Sequence, residues 1–214
     1  MPLRNRWKTR QTRHELLKLK DQLELAKKAH TSLEEKYKAL IQEAQHVRKT
    51  LVPFQKKLKQ RIEKAYSLLS EAVIYLGLRR VYRAGVSSKA NDEVEVKWTT
   101  IRGVSAPKLI SKIQKRTPLE RGYPLSSTNY LLDTTAEAFE DALTSLIEVA
   151  ELENIHRKLE KEGEKTRIRV SALEKILIPS LEDEIKLIEN KLEEKEREHN
   201  VMIKWVKENL LDKP

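Results

Sequence analysis

The 214-residue sequence contains no cysteine, which excludes disulfide bonds, thiolate metal ligands and thiol nucleophiles. Only 5% of the residues are aromatic, whereas 36% are charged. Glycine occurs five times and proline seven times, so long stretches hold no residue that interrupts a helix. Such a composition does not favour a compact globule and is typical of long helices that share a narrow apolar seam.

Signals for membrane insertion and for chemistry are also missing. No run of about 18 uncharged apolar residues occurs, so no bilayer-spanning helix is predicted, and residues 1–17 lack the apolar core of a secretory signal. No glycine-rich loop that could cradle phosphate is present, and no two histidines stand four residues apart. Because no nucleophile has a base beside it in a motif, we expect no catalytic residues, no cofactor and no metal.

Charge is distributed unevenly along the chain. The net charge is +10 over residues 1–75, +7 over residues 76–125 and −7 over residues 126–214. Two copies of the first segment would repel each other, whereas the first and last segments of one chain attract. The charge pattern therefore favours a chain that folds back on itself as an antiparallel hairpin, with its basic middle at the tip.

Apolar residues recur in alternating steps of three and four in both outer segments, which is the pattern of a coiled coil. Pro53 lies inside the first series and predicts a kink near residues 49–53. The second series is interrupted at Pro179. If the two helices pair in antiparallel fashion, the numbers of facing residues add to about 206–212, which places Trp7 near Trp205 and Leu76 near the turns after Tyr130.

The middle of the chain differs from both ends. Val94, Val96 and Trp98 alternate with charged residues, as in a half-buried strand. We expect residues 81–85 to form its partner strand, with a turn at residues 88–92. A short helix near residues 107–115 and a loop to Pro124 follow, and residues 126–128 cap the next helix.

These patterns together predict an all-α fold, a long antiparallel two-helix coiled coil with a small basic tip region that contains a β-hairpin. The predicted divisions are an N-terminal coiled-coil helix over residues 1–76, a tip over residues 77–125 and a C-terminal coiled-coil helix over residues 126–210. The seam is weakest from His156 to Thr166, opposite residues 42–54. We expect bending or the docking of a partner at that stretch.

Three blocks of sequence, in order, resemble the D subunit of the V-type and archaeal A-type rotary ATPases. They are TRHELLKLKDQLELAKKAHTSLEEKYKAL at residues 12–40, RGY at residues 121–123 with AFEDALTSLIEVAELE, and TRIRVSALEKILIPSLEDEIKLIENKLEEKEREHNVMIKWVK at residues 166–207. Ala29, Pro53 and Ser171 depart from the pattern of that family. Two other hypotheses remain for a charged helical hairpin, a prefoldin-like chaperone and a nucleic-acid-binding coiled coil.

The resemblance implies a central rotor axle that couples ion-driven rotation to ATP synthesis or hydrolysis and binds no nucleotide itself. The implied partners are the catalytic A and B subunits, the small F subunit of the stalk, and the C subunit above the membrane ring. The implied location is the cytoplasmic face of the membrane, with one copy per complex and no nucleic acid. Expected contacts with the bore of the catalytic hexamer are Trp7, Arg10, Arg13, Met202 and Trp205. Expected contacts with the small F subunit or at the foot of the axle are Val94, Val96, Trp98, His156, Arg167 and Arg169.

Overall fold

A computed structural model describes residues 12–88, 94–111, 116–123 and 129–208. In chain order its elements are α1 (Arg13–Leu76), α2 (Leu78–Ser87), β1 (Val94–Ile101), β2 (Val104–Ser111), α3 (Tyr130–Ala172) and α4 (Ile178–Val206), with π-helical turns at Leu173–Leu177 between α3 and α4. The chain divides into two compact units. We call Ala39–Gly163 the hairpin unit, and Met1–Lys38 with Glu164–Pro214 the terminal unit. The predicted fold class, paired long helices with a small antiparallel hairpin, is confirmed.

In the terminal unit, α1 and α4 are joined by ion pairs at heptad intervals. The ammonium nitrogen of Lys20 lies 2.7 Å from Glu189 Oε1, and that of Lys27 lies 2.9 Å from Glu182 Oε1. A third pair, seven residues further out, joins Arg13 to Glu196. In every pair the two residue numbers add to 209, so the register is constant and within the predicted range. The antiparallel pairing of oppositely charged segments is therefore confirmed in this unit.

The core of the terminal unit is a single apolar seam beneath these pairs. Its buried members are Leu19, Ala26, Leu181, Ile185 and Ile188. Residues of this kind at a three-four spacing bury one stripe of each helix and leave the charged side chains at the margins of the seam. Trp7, predicted to lie near Trp205, is outside the described residues.

The hairpin unit continues the pairing between α1 and α3. Gln55 Nε2 donates to Glu153 Oε1 at 2.7 Å, and the rings of Tyr66 and Phe139 meet edge to face with centroids 5.7 Å apart. α1 is helical through Pro53. Near the end of α1, Leu76 packs on a buried cluster that contains Leu132 in the first turn of α3, which confirms the predicted neighbourhood of Leu76.

Leu78–Ser87, between α1 and β1, form a helix, so the predicted strand at residues 81–85 is wrong. Gly77 ends α1 with φ of 81° and ψ of 144°, a conformation that only glycine adopts readily. The chain then turns into α2, where Val81 and Ala84 lie three residues apart on one face and pack near Tyr123. A three-residue spacing suits a helix packed on one side, which is why the helix forms here.

The partner of β1 is β2, which follows it in sequence, so the predicted short helix over residues 107–115 is also wrong where it is described. The register runs without a break from Ile101 opposite Val104 to Val94 opposite Ser111. The turn is formed by Arg102 at φ 50° and Gly103 at φ 77°, the left-handed pair that favours a tight two-residue hairpin. The turn predicted at residues 88–92 and residues 112–115 of the predicted helix fall largely outside the described ranges.

Local sequence features account for where α3 begins and where it meets α4. Residues 126–128, predicted as its cap, lie outside the described residues, and α3 begins at Tyr130, whose N–H donates to Asn129 Oδ1 at 2.7 Å. The π-helical turns at Leu173–Leu177 directly precede α4, in which Pro179 lies near the first position. A π-helical segment adds one residue to a helical turn. It thereby changes the hydrogen-bonding pattern of the backbone just before Pro179, which has no N–H to donate. None of the described helices has the length and apolar character needed to cross a bilayer.

Candidate partner-binding surfaces

The β-hairpin packs along the helices of its own unit and covers part of the weak seam. Its buried side chains Val104 and Ala106 join an apolar cluster with α1 and α3. The helical members of that cluster are Leu40, Ala44, Val47, Ile155 and Leu159. The hairpin therefore adds apolar surface to the helical pairing at this stretch. The chain's own hairpin packs on Val47 and Leu159, which lie in the two stretches where we expected bending or a docking partner.

Polar side chains from the helices fix the hairpin in this position. Glu151 Oε2 accepts the N–H of Leu109 at 3.0 Å. Lys158 Nζ donates to the carbonyl of Ser105 at 3.2 Å and lies 4.3 Å from the centre of the Trp98 ring, a cation–π distance. The turn is also held, because Arg102 Nε lies 3.3 Å from Glu43 Oε2.

Sequence reasoning missed Glu43, Glu151 and Lys158 as contacts of the hairpin. On a helix these charges have the pattern of a solvated face, and nothing in their spacing indicates a strand across from them. These side chains contact β2, its turn and Trp98, and the sequence interpretation found neither β2 nor the turn. The signal that could have found β2 is the Arg102-Gly103 pair between two runs of strand-forming residues.

The opposite face of the hairpin is exposed and apolar. Val94, Val96 and Trp98, predicted to contact another subunit, are 45%, 49% and 65% exposed. They alternate along β1 and so share one face, on which Leu109 lies opposite Val96. The described structure therefore brings these three predicted residues together as one surface.

The other three residues of that predicted group are not part of this surface. His156 lies on α3 in the hairpin unit, with its Nε2 3.4 Å from Glu160 Oε1. Arg167 and Arg169 belong to the terminal unit, where Arg167 donates two hydrogen bonds of 2.8 Å to the carboxylate of Glu164. Those bonds lower the pKa of Glu164 below its usual value. Arg169 is exposed.

The residues predicted to enter the hexamer bore are described in part. Trp7 and Arg10 lie outside the described residues. Arg13 pairs with Glu196 across the two helices of the terminal unit. Met202 and Trp205 lie in the last turns of α4 and are 65% and 62% exposed, where they line a shallow apolar surface with other residues of the same helix.

A second exposed apolar surface, which sequence reasoning missed, lies on α2. Leu78, Tyr82 and Val86 are each about 70% exposed and stand four residues apart, so they form one stripe. Arg79 and Arg83 lie beside this stripe on the same helix and are also exposed. The spacing of four was readable in the sequence, but our interpretation of this segment as a strand concealed it.

A buried ionic cluster holds the chain that leads into α3. Arg121 is 5% exposed and Glu140 is 7% exposed, and they are joined by two hydrogen bonds of 3.2 and 3.1 Å. Arg121 also donates to the carbonyl of Asp133 at 3.0 Å, and Tyr123 donates to the Asp133 carboxylate. Burial alone would lower the pKa of Arg121, but its bonds with Glu140 and Tyr123 outweigh burial and raise it. The pKa of Tyr123 is raised, mainly by burial.

Within the described ranges, no three His, Asp or Glu side chains are grouped closely enough to hold a metal ion. The candidate sites are three exposed apolar surfaces, formed by Val94, Val96 and Trp98 on the hairpin, by the stripe on α2 and by the end of α4. Antiparallel coiled-coil helices that carry exposed apolar surfaces are typical of one class of protein, the coiled-coil subunits of larger assemblies.

Comparison with known proteins identifies the assembly. Residues 15–208 match the family of ATP synthase D subunits. The A-type ATP synthase D subunit of Pyrococcus horikoshii is 40% identical over 200 residues, 94% of each chain, and that of Thermococcus sibiricus is 38% identical over the same share. The corresponding protein of Methanosphaera stadtmanae is 37% identical over 199 residues, 93% of each chain. The chain belongs to the family of ATP synthase D subunits, and it is therefore a non-catalytic part of the stalk of a rotary ATP synthase.

Proposed function

We propose that this chain is the single-copy central axle of an A-type or V-type complex, turning inside the hexamer of catalytic A and B subunits. The observation that carries the proposal is the family match over residues 15–208, together with relatives that align with nearly their whole length. Ion flux through the membrane ring turns the axle for synthesis, and ATP hydrolysis turns it in reverse. The chain is a peripheral part of this membrane-bound complex, on the cytoplasmic face of the membrane.

The packing within each unit suits transmission of torque. In the terminal unit three ion pairs repeat every seven residues above an apolar seam, so twisting one helix about the other must shift several pairs together. In the hairpin unit the strands and the Arg121–Glu140 pair fasten the returning chain to α3. An axle without rotational symmetry presents a different surface to each catalytic interface, which biases the nucleotide affinity of each one differently.

Exposed residues of the two units support part of the proposed contacts, whereas Trp7 and Arg10 rest on the sequence resemblance alone. The end of the terminal unit enters the bore, with Arg13, Met202 and Trp205 in contact with the catalytic subunits, together with Trp7 and Arg10. Val94, Val96 and Trp98 contact the small F subunit, with His156, Arg167 and Arg169 as further candidates for this contact or for the foot. The apolar stripe of α2 is an additional candidate for contact with the C subunit. Arg79 and Arg83 beside the stripe would suit acidic residues on such a partner.

The test is affinity purification of the tagged chain from its source cells, with and without nuclease, followed by mass spectrometry. We expect the two large catalytic subunits and a small stalk protein to be recovered in fixed ratio to the chain whether or not nuclease is present. Loss of the co-purified material on nuclease treatment would instead support a nucleic-acid-binding coiled coil. Recovery of unfolded proteins without catalytic subunits would support a prefoldin-like chaperone.

A further inference from the structure

The two edges of the β-hairpin differ in how their main-chain groups are used. In a hairpin with a two-residue turn, the residue pair beside the turn is hydrogen-bonded, and every second pair after it is bonded likewise. Counting from Ile101 opposite Val104, the main-chain groups of Thr100, Trp98, Val96 and Val94 point away from β2. By the same count, those of Ser105, Pro107 and Leu109 point away from β1.

The outer edge of β2 is closed by residues of the same unit. The N–H of Leu109 donates to Glu151, and the carbonyl of Ser105 accepts from Lys158. Pro107, between them, has no N–H to leave unpaired. These contacts agree with the alternation counted from the turn, and they leave β2 unable to accept a further strand.

The outer edge of β1 is open. Every residue from Val94 to Thr100 is exposed, and within the described ranges no hydrogen bond reaches the four outward-facing main chains. β1 contains neither a proline nor a bulge that would discourage pairing, because its register with β2 is unbroken. A straight, exposed edge strand with apolar side chains is a template for another strand, and proteins usually block such an edge or use it.

We propose that β1 pairs with an extended segment of the small F subunit of the stalk, which adds a third strand to the hairpin. The inference rests on the proposed function and specifies how the surface of Val94, Val96 and Trp98 is recognised. Those three side chains select apolar residues at alternate positions of the incoming strand. The chain's net charge of +10 disfavours a second copy of itself as the occupant.

The other face of the hairpin specifies the charge of the incoming strand. Lys97 lies directly opposite Lys108, and two like charges in facing positions destabilise a sheet. Glu95 lies 3.9 Å from Lys97 Nζ, the outer limit of an ion pair. A carboxylate on the incoming strand beside Lys97 would relieve this repulsion, so the occupant is an apolar strand that carries an acidic residue on its second face.

Amide hydrogen exchange of the isolated chain and of the intact complex purified from source cells tests the proposal. On assembly we expect exchange at Val96 and Trp98 to slow on the order of 100-fold, because their N–H groups become bonded. Lys97 and Thr99, already bonded to β2, serve as internal controls and should change much less. Unchanged exchange at Val96 and Trp98 in a complex that contains the chain would overturn the strand addition while the axle function stands. A chain that never enters the complex would overturn the proposed function and this inference together.

A proline variant separates strand addition from ordinary apolar contact. Val96→Pro removes one outward N–H and leaves the bonds to β2, as Pro107 does in the other strand, whereas Val96→Thr keeps both the N–H and the shape. We expect Val96→Pro to weaken association with the purified small stalk protein at least about tenfold, because the acceptor on the incoming strand is desolvated without a hydrogen-bond donor. We expect Val96→Thr to weaken the association much less. Equal affinity of the two variants, or protection of Val96 in the isolated chain that rises with its concentration, would contradict the proposal. The second result would mean that β1 pairs with another copy of itself.

Discussion

The buried pair of Arg121 and Glu140 allows a quantitative prediction about the hairpin unit. Glu140→Gln retains the size of the side chain and one acceptor oxygen but removes the negative charge that faces Arg121. Arg121, which is 5% exposed, then keeps the carbonyl of Asp133 and the Asp133 carboxylate, whose Oδ1 lies 3.8 Å from Arg121 Nη1. Removing one partner of a buried ion pair costs about 3–5 kcal/mol, and the retained acceptor and the Asp133 carboxylate put the expected loss at the lower end, about 3 kcal/mol. For a chain of this length, that loss lowers the melting temperature by roughly 6–12 °C.

The assay is urea unfolding followed by circular dichroism, with hydrogen exchange of residues 119–123 and the first turn of α3 to detect local opening. The matched control is Glu164→Gln, the same substitution opposite Arg167 in a pair that is more than half exposed. That control should cost less than about 1 kcal/mol, because water already solvates both charges. A contradicting result would be that Glu140→Gln is no more destabilising than Glu164→Gln and that the exchange of residues 119–123 does not increase. Burial would then not raise the contribution of the Arg121–Glu140 pair to the free energy of unfolding.

Three further predictions concern glycine and pH. Gly163→Ala should stabilise the protein by about 0.5–1 kcal/mol, because a methyl group there meets Ile41 Cδ1 at an ordinary 3.7 Å and alanine favours a helix interior. Gly103→Ala should instead destabilise it by about 1–2 kcal/mol, because φ is +77° in the turn. The ion pair with Lys27 lowers the pKa of Glu182 below its usual 4.5, so its stabilising contribution is present above that pH and is lost as the pH falls through the folded-state pKa. Acid should therefore lower the urea midpoint less in Glu182→Gln than in the unsubstituted chain.

Urea unfolding gives the free energy of unfolding of all three variants. For each variant one result would contradict the prediction. A loss of stability in Gly163→Ala would mean that the added methyl group does not fit beside Ile41. Gly103→Ala without any cost would mean that the turn adopts another geometry. An acid response in Glu182→Gln as large as in the unsubstituted chain would mean that other carboxylates carry the whole effect.

The long helices were predictable because their signal is repeated many times. The seam through Leu19, Ala26 and Ile185 follows heptad spacing, and the opposite net charges of the two ends select antiparallel pairing. Each ion pair along the terminal unit then follows from the register alone. Repetition of this kind gives the pattern more weight than any single residue could.

The tip was predicted poorly because its signals are short and depend on tertiary contacts. A stretch with Val81 and Ala84 fits a strand or a helix, and packing against Tyr123 and Leu132 decides for the helix. The exposed alternation of Val94 and Val96 identified one strand, but its partner β2 is recognisable mainly by what it buries. Glu43, Glu151 and Lys158 could not be assigned without knowing that the hairpin packs along α1 and α3.

The most direct test of the axle is to observe it turning. A bead would be attached through a single cysteine introduced at exposed Leu119 in this cysteine-free chain, and the catalytic hexamer containing the chain would be fixed to a surface and supplied with ATP. We expect the bead to rotate in one direction, in thirds of a turn, and to stop when ATP is removed. A bead that stays at a fixed angle while the hexamer hydrolyses ATP would mean that the chain is not the axle.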